Sequence, residues 1–192
     1  NVSIHRLAGD WVALTETPLP VRFDPHTLDT LGVVDYDDTL SGPLTTAHPH
    51  RLPDGTLYSY VVDFSKPTST YRLYRLDAAT ATRQELGTHA VRRPSYMHSF
   101  AMTERYVALV AFPLVLDPLD MLLSGKPFIE NFEWQPERGT HIHVFERDTG
   151  THVTTVPTDP MFAFHHINAF DDGDTLCIDL AAYPDATIVD RM

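Results

Sequence analysis

The chain has 192 residues, of which 43% are hydrophobic and 21% charged, a composition typical of a globular domain with one sizeable core and not of a disordered segment. Its net charge of −12 would repel phosphate backbones, so a nucleic-acid partner is not expected. No apolar run approaches the roughly 20 residues that a transmembrane helix needs, and the first residues do not resemble a signal peptide.

The single cysteine, Cys177, excludes an internal disulfide and any metal site built from several cysteines, so the reducing cytoplasm is the expected compartment. Its setting, "TLCIDL", indicates a strand in which the thiol is a small buried hydrophobe and not a nucleophile. The sequence does not begin with methionine, and its last residues, "IVDRM", carry no cap or polar tail. We therefore expect residues 1–192 to be one partial domain, incomplete at both ends.

Strand signals dominate the chain, and no convincing helix is predicted. Short runs rich in Val, Tyr, Thr and Phe recur about every dozen residues, bounded by turns such as "PDG", "TER" and "DDGD". In chain order, the main runs are "WVALTETP", "VRFDP", "TLDTLGVVDY", "LYSYVVDF", "STYRLYRLD", "TRQELGTHAV", "YVALVAF", "HIHVFERDTG", "HVTTVPTD" and "TLCIDLAAYP". The sequence therefore predicts an all-β protein.

These runs form a larger repeat, in which a histidine is followed by a turn and then by an apolar strand. His48 leads through "PDG" to "LYSYVVDF", His98 through "TER" to "YVALVAF", and His165 through "DDGD" to "TLCIDLAAYP". The opening runs fit the same scheme if the chain enters it one strand late, at the second strand of the first unit. Units of about 50 residues with four strands each are typical of propeller blades. We predict about three blades of a β-propeller, with an insertion at residues 113–137 between two strands of one blade.

Equivalent positions of successive blades converge in a propeller, because the innermost strand of every blade lines the central axis. The repeat therefore places His48, His98 and His165 around one centre. A histidine in an apolar run is more often a hydrogen-bonded core residue, but three at matching positions reverse that preference. Three buried imidazoles without a metal would be a costly polar cluster, so the repeat favours a metal site.

The remaining histidines do not share this pattern. His141 and His143 alternate along a strand and face the same side, so a metal pair is conceivable. Because we expect their strand to lie on the outside of its blade, a solvated face is the favoured interpretation. Four others lie in turn-like or edge-like settings: His5, His26, His89 and His152.

Three segments resemble signature segments of one family: "TAHPHRLPDGTLYSYVVDF", "PSYMHSFAMTERYVALVAFP" and "FAFHHINAFDDGDTLCIDLAAYPD". In order and spacing they are similar to those of the carotenoid cleavage oxygenases, which also include the retinal pigment epithelium retinoid isomerase and the stilbene-cleaving dioxygenases. The likeness extends from about Trp11 to Asp185. It implies a seven-bladed β-propeller with a single Fe(II) held by four histidines.

The resemblance implies roles for matching residues. By the resemblance, the iron ligands are His48 (the first histidine of "HPH"), His98 of "YMHSF" and His165 (the first histidine of "FHHIN"). "ALTETP" resembles the segment whose glutamate hydrogen-bonds the second ligand, which implies that Glu16 holds His98; without the resemblance, Glu16 would be read as an exposed charge at the end of a strand. The fourth histidine and two further glutamates of the family would lie downstream of this sequence.

The neighbours of His165 also invite predictions. Alternation turns His166 away from the axis, so we expect a structural role for it. Asn168 is expected to secure a turn near the iron. Asp171 stands where many members of the family carry a glutamate.

The activity implied by the resemblance is that of a non-haem iron dioxygenase. Its substrates would be O2 and an apolar polyene, a carotenoid or apocarotenoid, whose conjugated C=C bond is cleaved to give two carbonyl fragments. A stilbene-type substrate or a retinoid isomerase is the alternative within the family. A propeller that has lost its chemistry and serves as a binding module is the alternative outside it.

The insertion is the other feature that predicts a function, because long loops on a rigid scaffold usually carry function. The resemblance implies that residues 113–137 contribute to a cap over the active site and to an apolar patch that draws substrate from membranes. That patch would make the protein peripheral to a membrane, whereas burial of the same side chains against the propeller is an equal alternative. The side chains concerned are Leu114, Leu116, Leu119, Met121, Leu122 and Leu123.

Overall fold

A computed structural model describes residues 2–65 and 68–191, and it consists mainly of antiparallel sheet. The first sheet has four strands in chain order: β1 (Ser3–Leu7), β2 (Asp10–Leu14), β3 (Val21–Phe23) and β4 (Thr30–Val33). The prediction that the chain enters this sheet one strand late is wrong, since β1 pairs along its length with β2. Only Leu7 of β1 is fully buried, so the strand has a weak apolar signal in the sequence.

The second sheet contains β5 (Leu44–Thr45), β6 (His50–Arg51), β7 (Leu57–Asp63), β8 (Ser69–Asp77) and β9 (Thr82–Val91). Both β5 and β6 pair with β7, so the innermost position of this sheet is divided into two short strands. The break between them is where His48 lies. Strand β7 is almost entirely buried, as its continuous apolar run predicts.

The third sheet is formed by β10 (Ala101–Met102), β11 (Tyr106–Ala111), β14 (Thr140–Glu146) and β15 (His152–Thr158), in that order. The insertion connects β11 to β14 and contains a hairpin of β12 (Leu114–Leu116) and β13 (Phe132–Trp134), with 3-10 turns at Phe128–Asn131 and Pro136–Arg138.

The insertion also contains a helix that the sequence did not predict, α1 (Pro118–Ser124). The side chain of Asp117 caps its start by accepting a hydrogen bond from the backbone N–H of Leu119 at 3.0 Å. Pro118 occupies the first turn, and Gly125 ends the helix with a left-handed φ of 64°. With seven residues, the helix is too short for the periodicity by which helices are recognised.

A hairpin of β16 (Phe162–Asp172) and β17 (Thr175–Tyr183) follows, and a 3-10 segment, Ala186–Arg191, ends the described chain. The hairpin turns at Gly173, whose φ is +57°. Asn168 lies within β16 opposite Asp179, so the prediction that it secures a turn is wrong. Cys177 lies on a strand as predicted, but it is only partly buried.

Three apolar clusters join successive sheets. Leu7 and Val12 of the first sheet pack with Leu57 and Leu76 of the second. Side chains of β7 and β8 pack against β11 and β14, and Phe162 of the last hairpin packs against Phe112 and the insertion. The all-β prediction is confirmed, and the sheets follow one another as the blades of a propeller do. Within residues 2–65 and 68–191, no helix is long and apolar enough to cross a membrane.

Candidate metal centre

Three histidines from different parts of the sheet series meet at one point. His48 lies between β5 and β6, His98 in the segment before β10, and His165 on β16. One ring nitrogen from each lies within 4.8 Å of one from each of the others. The imidazole centroids are 4.7 Å apart for His48 and His98, 5.3 Å for His48 and His165, and 4.9 Å for His98 and His165. The structure thus brings together the three residues that the sequence singled out.

Thr46 fixes the backbones of two of them. Thr46 is 3% exposed, and its hydroxyl donates to the carbonyl of His98 at 2.6 Å and accepts from the backbone N–H of His48 at 3.0 Å. The loop of the second sheet is therefore held against the loop of the third. Sequence analysis missed Thr46, although its position two residues before a repeat histidine was the available signal.

Glu16 lies just after β2, and its side chain reaches the buried ring of His98. The Nδ1 of His98, whose side chain is 2% exposed, donates to Oε1 of Glu16 at 2.5 Å. The hydroxyl of Tyr96 donates to both carboxylate oxygens, at 3.0 and 3.2 Å. Burial, followed by the negative charge of Glu16, raises the pKa of Tyr96 above its ordinary value, so the phenol stays a donor. Tyr96 was not among the predicted site residues.

These bonds set the tautomer of His98. Because Nδ1 donates to Glu16, Nε2 carries the lone pair, and it faces the other histidines. The Nε2 of His48 lies 2.9 Å from it, a distance at which one nitrogen donates to the other or both face one ion. Two imidazole nitrogens bound at right angles to one ion, about 2.1 Å from each, lie about 3.0 Å apart. The measured distance therefore fits a shared metal.

The charge state of the group also suits a metal. Burial, then the nearby rings of His98 and His165, lowers the pKa of His48. Burial, then the ring of His98, lowers the pKa of His165. Neutral imidazole is the form that binds metals, and imidazole suits iron among the first-row transition metals. The donor set thus fits the Fe(II) that the resemblance implies, while the role of the three residues as its ligands stays a prediction.

Ser99 connects the third sheet to the last hairpin in the same way as Thr46 connects the second to the third. Its hydroxyl donates to the carbonyl of Phe164 at 2.7 Å and accepts from the backbone N–H of His166 at 3.0 Å. Since that hydrogen is used, the Nδ1 of His166, 2.8 Å from the same oxygen, must be the donor in the second bond. Burial, then the rings of His50 and His165, lowers the pKa of His166 to about 4. These contacts fit the structural role expected of His166.

The pairing of β16 is irregular on both sides of His166. Such bulges bend a strand and change the direction of its side chains. The two adjacent histidines therefore lie in different environments. His165 is exposed beside the other two histidines of the centre, and His166 is hydrogen-bonded to Ser99. Asp171, further along β16, lies 3.5 Å from the guanidinium of Arg105.

The interpretation of His141 and His143 as a solvated face is wrong. Their strand β14 is paired on both sides, with β11 and β15, and is not the outer strand of its sheet. His143 is consequently only 7% exposed, and its Nδ1 is hydrogen-bonded to the hydroxyl of Thr155 at 2.9 Å.

Some leucines of the insertion are buried against the propeller and others are exposed, so burial holds for part of the set, while contact with a membrane stays a prediction. Leu114 and Leu116 are 6% and 1% exposed, because β12 packs into the core beside the last hairpin. On α1, by contrast, Leu119, Leu122 and Leu123 are 47%, 69% and 77% exposed.

Comparison with known proteins agrees with this geometry. A family model described as retinal pigment epithelial membrane protein matches residues 1–192. The carotenoid isomerooxygenase of Galleria mellonella is 31% identical over 202 aligned residues, covering 100% of this chain and 39% of that protein. The β,β-carotene 15,15′-dioxygenase of Mus musculus is 31% identical, covering 97% of this chain and 36% of that protein. The chain thus spans well under half the length of these relatives.

Solved structures give the same result. A mutant of Synechocystis apocarotenoid oxygenase superposes with a TM-score of 0.79 at 25% identity, covering 97% of this chain and 40% of that one. The lignostilbene dioxygenase of Pseudomonas brassicacearum gives a TM-score of 0.74 at 29% identity, covering 94% of this chain and 37% of that one. By the family match over its whole length and by these likenesses, the chain belongs to the carotenoid cleavage oxygenase family.

Proposed function

We propose that this chain supplies three of the histidines of a non-haem Fe(II) dioxygenase that cleaves a conjugated C=C bond of a carotenoid or apocarotenoid with O2, giving two carbonyl products. The observation that carries the proposal is the convergence of His48, His98 and His165, with the Nδ1 of His98 fixed by Glu16. When bound, ferrous iron supplies the O2 chemistry. The relatives that share this architecture include named dioxygenases.

The residues of this chain would hold the iron through three imidazoles in a fixed geometry. Glu16 holds the proton of His98 on Nδ1, which keeps Nε2 directed at the ion and raises its basicity. Thr46 and Ser99 hold the neighbouring backbones, so the imidazoles need not be reordered when the ion binds.

Metal analysis of the full-length protein, purified without oxygen, tests this proposal. We expect close to stoichiometric iron, and cleavage of a carotenoid or apocarotenoid into two carbonyl products that mass spectrometry identifies. Iron well below one atom per chain after ferrous reconstitution would favour a propeller that serves as a binding module.

A stilbene-type substrate is the second candidate, and the likeness to the lignostilbene dioxygenase supports it. The same protein should therefore be assayed with a carotenoid, an apocarotenoid and a hydroxystilbene in parallel. If the protein cleaves only the stilbene, its proposed substrate becomes a stilbene, and the proposed iron centre is unchanged.

We further propose that α1 contacts a membrane surface from which the apolar substrate is taken. Its three exposed leucines lie on a helix that is capped at both ends, and Phe128 and Ile129 beside it are 39% and 38% exposed. Apolar side chains on a short surface helix bind the interface between headgroups and acyl chains. This contact would bring the protein to the membrane without crossing it.

Replacement of Leu122 and Leu123 by Ser tests the membrane contact. We expect lower co-sedimentation with lipid vesicles but unchanged cleavage of substrate dissolved in detergent. Leu31→Ser removes a leucine that is 56% exposed on the first sheet and serves as the control. Equal vesicle binding by all three proteins would contradict the contact.

A further inference from the structure

A second group of three histidines lies away from the candidate metal centre, where β9, the outer strand of the second sheet, meets β14 and β15 of the third sheet. His89 belongs to β9, His143 to β14 and His152 to β15, and one ring nitrogen from each lies within 4.8 Å of one from each of the others. The ring of His89 is 4.3 Å from that of His143 and 4.6 Å from that of His152, centroid to centroid. We call this group the interblade trio.

A bulge in β15 brings His152 into the trio. His143 pairs with Thr155 and Val144 with Thr154, but Phe145 pairs with His152, so Val153 is an extra residue. Cross-strand partners share a face, and without the bulge His152 would alternate to the face opposite Thr155. With the bulge, it lies on the face of His143.

Two glycines allow the sheets to approach each other at the same place. A Cβ on Gly87 of β9 would lie 2.1 Å from the carbonyl oxygen of Gly150, in the turn before β15. Gly87 is two residues from His89 and shares its face, while Gly150 is two residues from His152. The close contact that only these glycines permit is therefore the one that brings His89 to the other two.

His89 and His143 are held in the neutral form that binds metal. Burial, then the rings of His89, His141 and His152, lowers the pKa of His143 to about 3. Burial, then the ring of His152, lowers the pKa of His89. The hydroxyl of Thr155 lies 2.9 Å from the Nδ1 of His143 and 2.9 Å from the Nε2 of His152. For His143, the contact with Thr155 is of the kind that commonly fixes the second nitrogen of a ligating histidine.

We propose that the interblade trio is a second metal site, which takes a divalent transition-metal ion of the zinc type and links β9 of one blade to β14 and β15 of the next. While Nδ1 of His143 keeps its bond to Thr155, Nε2 is the nitrogen left for the ion. Three imidazoles leave the fourth position of a tetrahedral ion to water.

Binding needs one side chain to turn. Nitrogens bound about 2.0 to 2.1 Å from a tetrahedral ion lie about 3.3 Å from one another. In the structure, the ring nitrogens of the interblade trio lie within 4.8 Å of one another, so they must come closer together when the ion binds. His152 is exposed at the start of its strand, so it is the member that moves, and it gives up its bond to Thr155. The buried His143 and the half-buried His89 form the fixed part of the site.

Zinc uptake by the full-length protein tests the proposal and does not depend on its activity. The protein is first loaded with iron, then dialysed against zinc chloride, and both metals are measured per chain. We expect the native protein and the control His141→Gln to hold one zinc more than His89→Gln and His152→Gln, whose zinc affinity should fall by roughly 100-fold or more, beyond the usual effect of an outer partner. Iron content should be the same in all four.

Equal zinc content in the native protein, His89→Gln and His152→Gln would overturn the proposal. His152 is exposed, so its variant is expected to fold, and it decides alone if His89→Gln does not fold. A second measurement is the thermal midpoint: added zinc should raise it in the native protein and in His141→Gln but not in His152→Gln. A zinc-dependent rise of the same size in His152→Gln would likewise reject the site.

Discussion

The chain contains two groups of three histidines, and they are built in different ways. The central group, His48, His98 and His165, comes from successive sheets at equivalent positions, and two of its members lie in loops. The interblade trio comes from β9 of one sheet and from β14 and β15 of the next, and it depends on a bulge and on two glycines in contact. The repeat of the fold produces the first group, whereas local departures from regular strand pairing produce the second.

The two groups also differ in how their rings are held. In the central group, a carboxylate fixes His98, and two hydroxyls, those of Thr46 and Ser99, connect the backbones of successive sheets. In the interblade trio, one hydroxyl, that of Thr155, contacts two rings, and within residues 2–65 and 68–191 no carboxylate is hydrogen-bonded to the three imidazoles. A carboxylate raises the basicity of the imidazole that it holds, so we expect the central group to bind its metal more tightly.

The largest expected effect is that of removing a ligand from the central group. His98→Ala should abolish iron retention and activity in the full-length protein, because it also leaves the carboxylate of Glu16 without the ring that it holds. His141→Ala, on a strand outside this group, should retain both. Iron content and carotenoid cleavage measure the difference; equal losses in the two variants would mean that the central group is not the iron site.

The contact between the two blades gives the next effect. Gly87→Ala places a Cβ against the backbone of Gly150 at 2.1 Å, so we expect about 3 kcal/mol of destabilisation, the upper part of the range for overpacking. The urea midpoint should fall and zinc uptake should be lost, while iron binding persists where the protein is folded. Thr88→Ala, at the exposed neighbouring position, is the control, and it should change neither quantity.

Glu16→Gln sharpens the comparison without removing a ligand. The amide keeps the shape of the side chain but loses the charge that fixes the Nδ1 proton of His98. We expect iron affinity or turnover to fall by roughly 10- to 100-fold, the usual range for a partner of a ligating histidine, with the fold unchanged by circular dichroism. Zinc uptake at the interblade trio should stay the same. If iron affinity is unaffected, the carboxylate is only a neighbour of the ring.

The sequence predicted the central group because repeat position and motif agree. It predicted strands such as β7 and β8 within a residue, since their apolar runs and turns are unambiguous. It did not predict α1, which has too few residues for periodicity, or the position of His143, because burial of β14 depends on pairing with β15 across a turn. The interblade trio was missed for a related reason: a bulge moves His152 to the other face, and strict alternation cannot anticipate that.

The smallest expected effect belongs to Tyr96, which is not one of the six histidines of the two groups but donates to both oxygens of Glu16. Tyr96→Phe removes one neutral donor from a carboxylate that still accepts from His98. A hydrogen bond to a charged group contributes about 1.5 to 3 kcal/mol, but only part of that loss reaches the iron through His98, so iron affinity should fall by less than the roughly 10- to 100-fold expected of Glu16→Gln. Equilibrium iron binding by the full-length protein measures it.

The combination of the two changes shows whether Tyr96 acts through Glu16. In Glu16→Gln the phenol no longer faces a charge, so adding Tyr96→Phe to it should lower iron affinity by less than Tyr96→Phe does alone. Tyr106→Phe, a half-buried tyrosine beneath Arg105, is the control, and its iron affinity should match that of the native protein. If the two changes add fully, Tyr96 supports His98 through its own contact, 3.5 Å from Nδ1, and not by orienting the carboxylate.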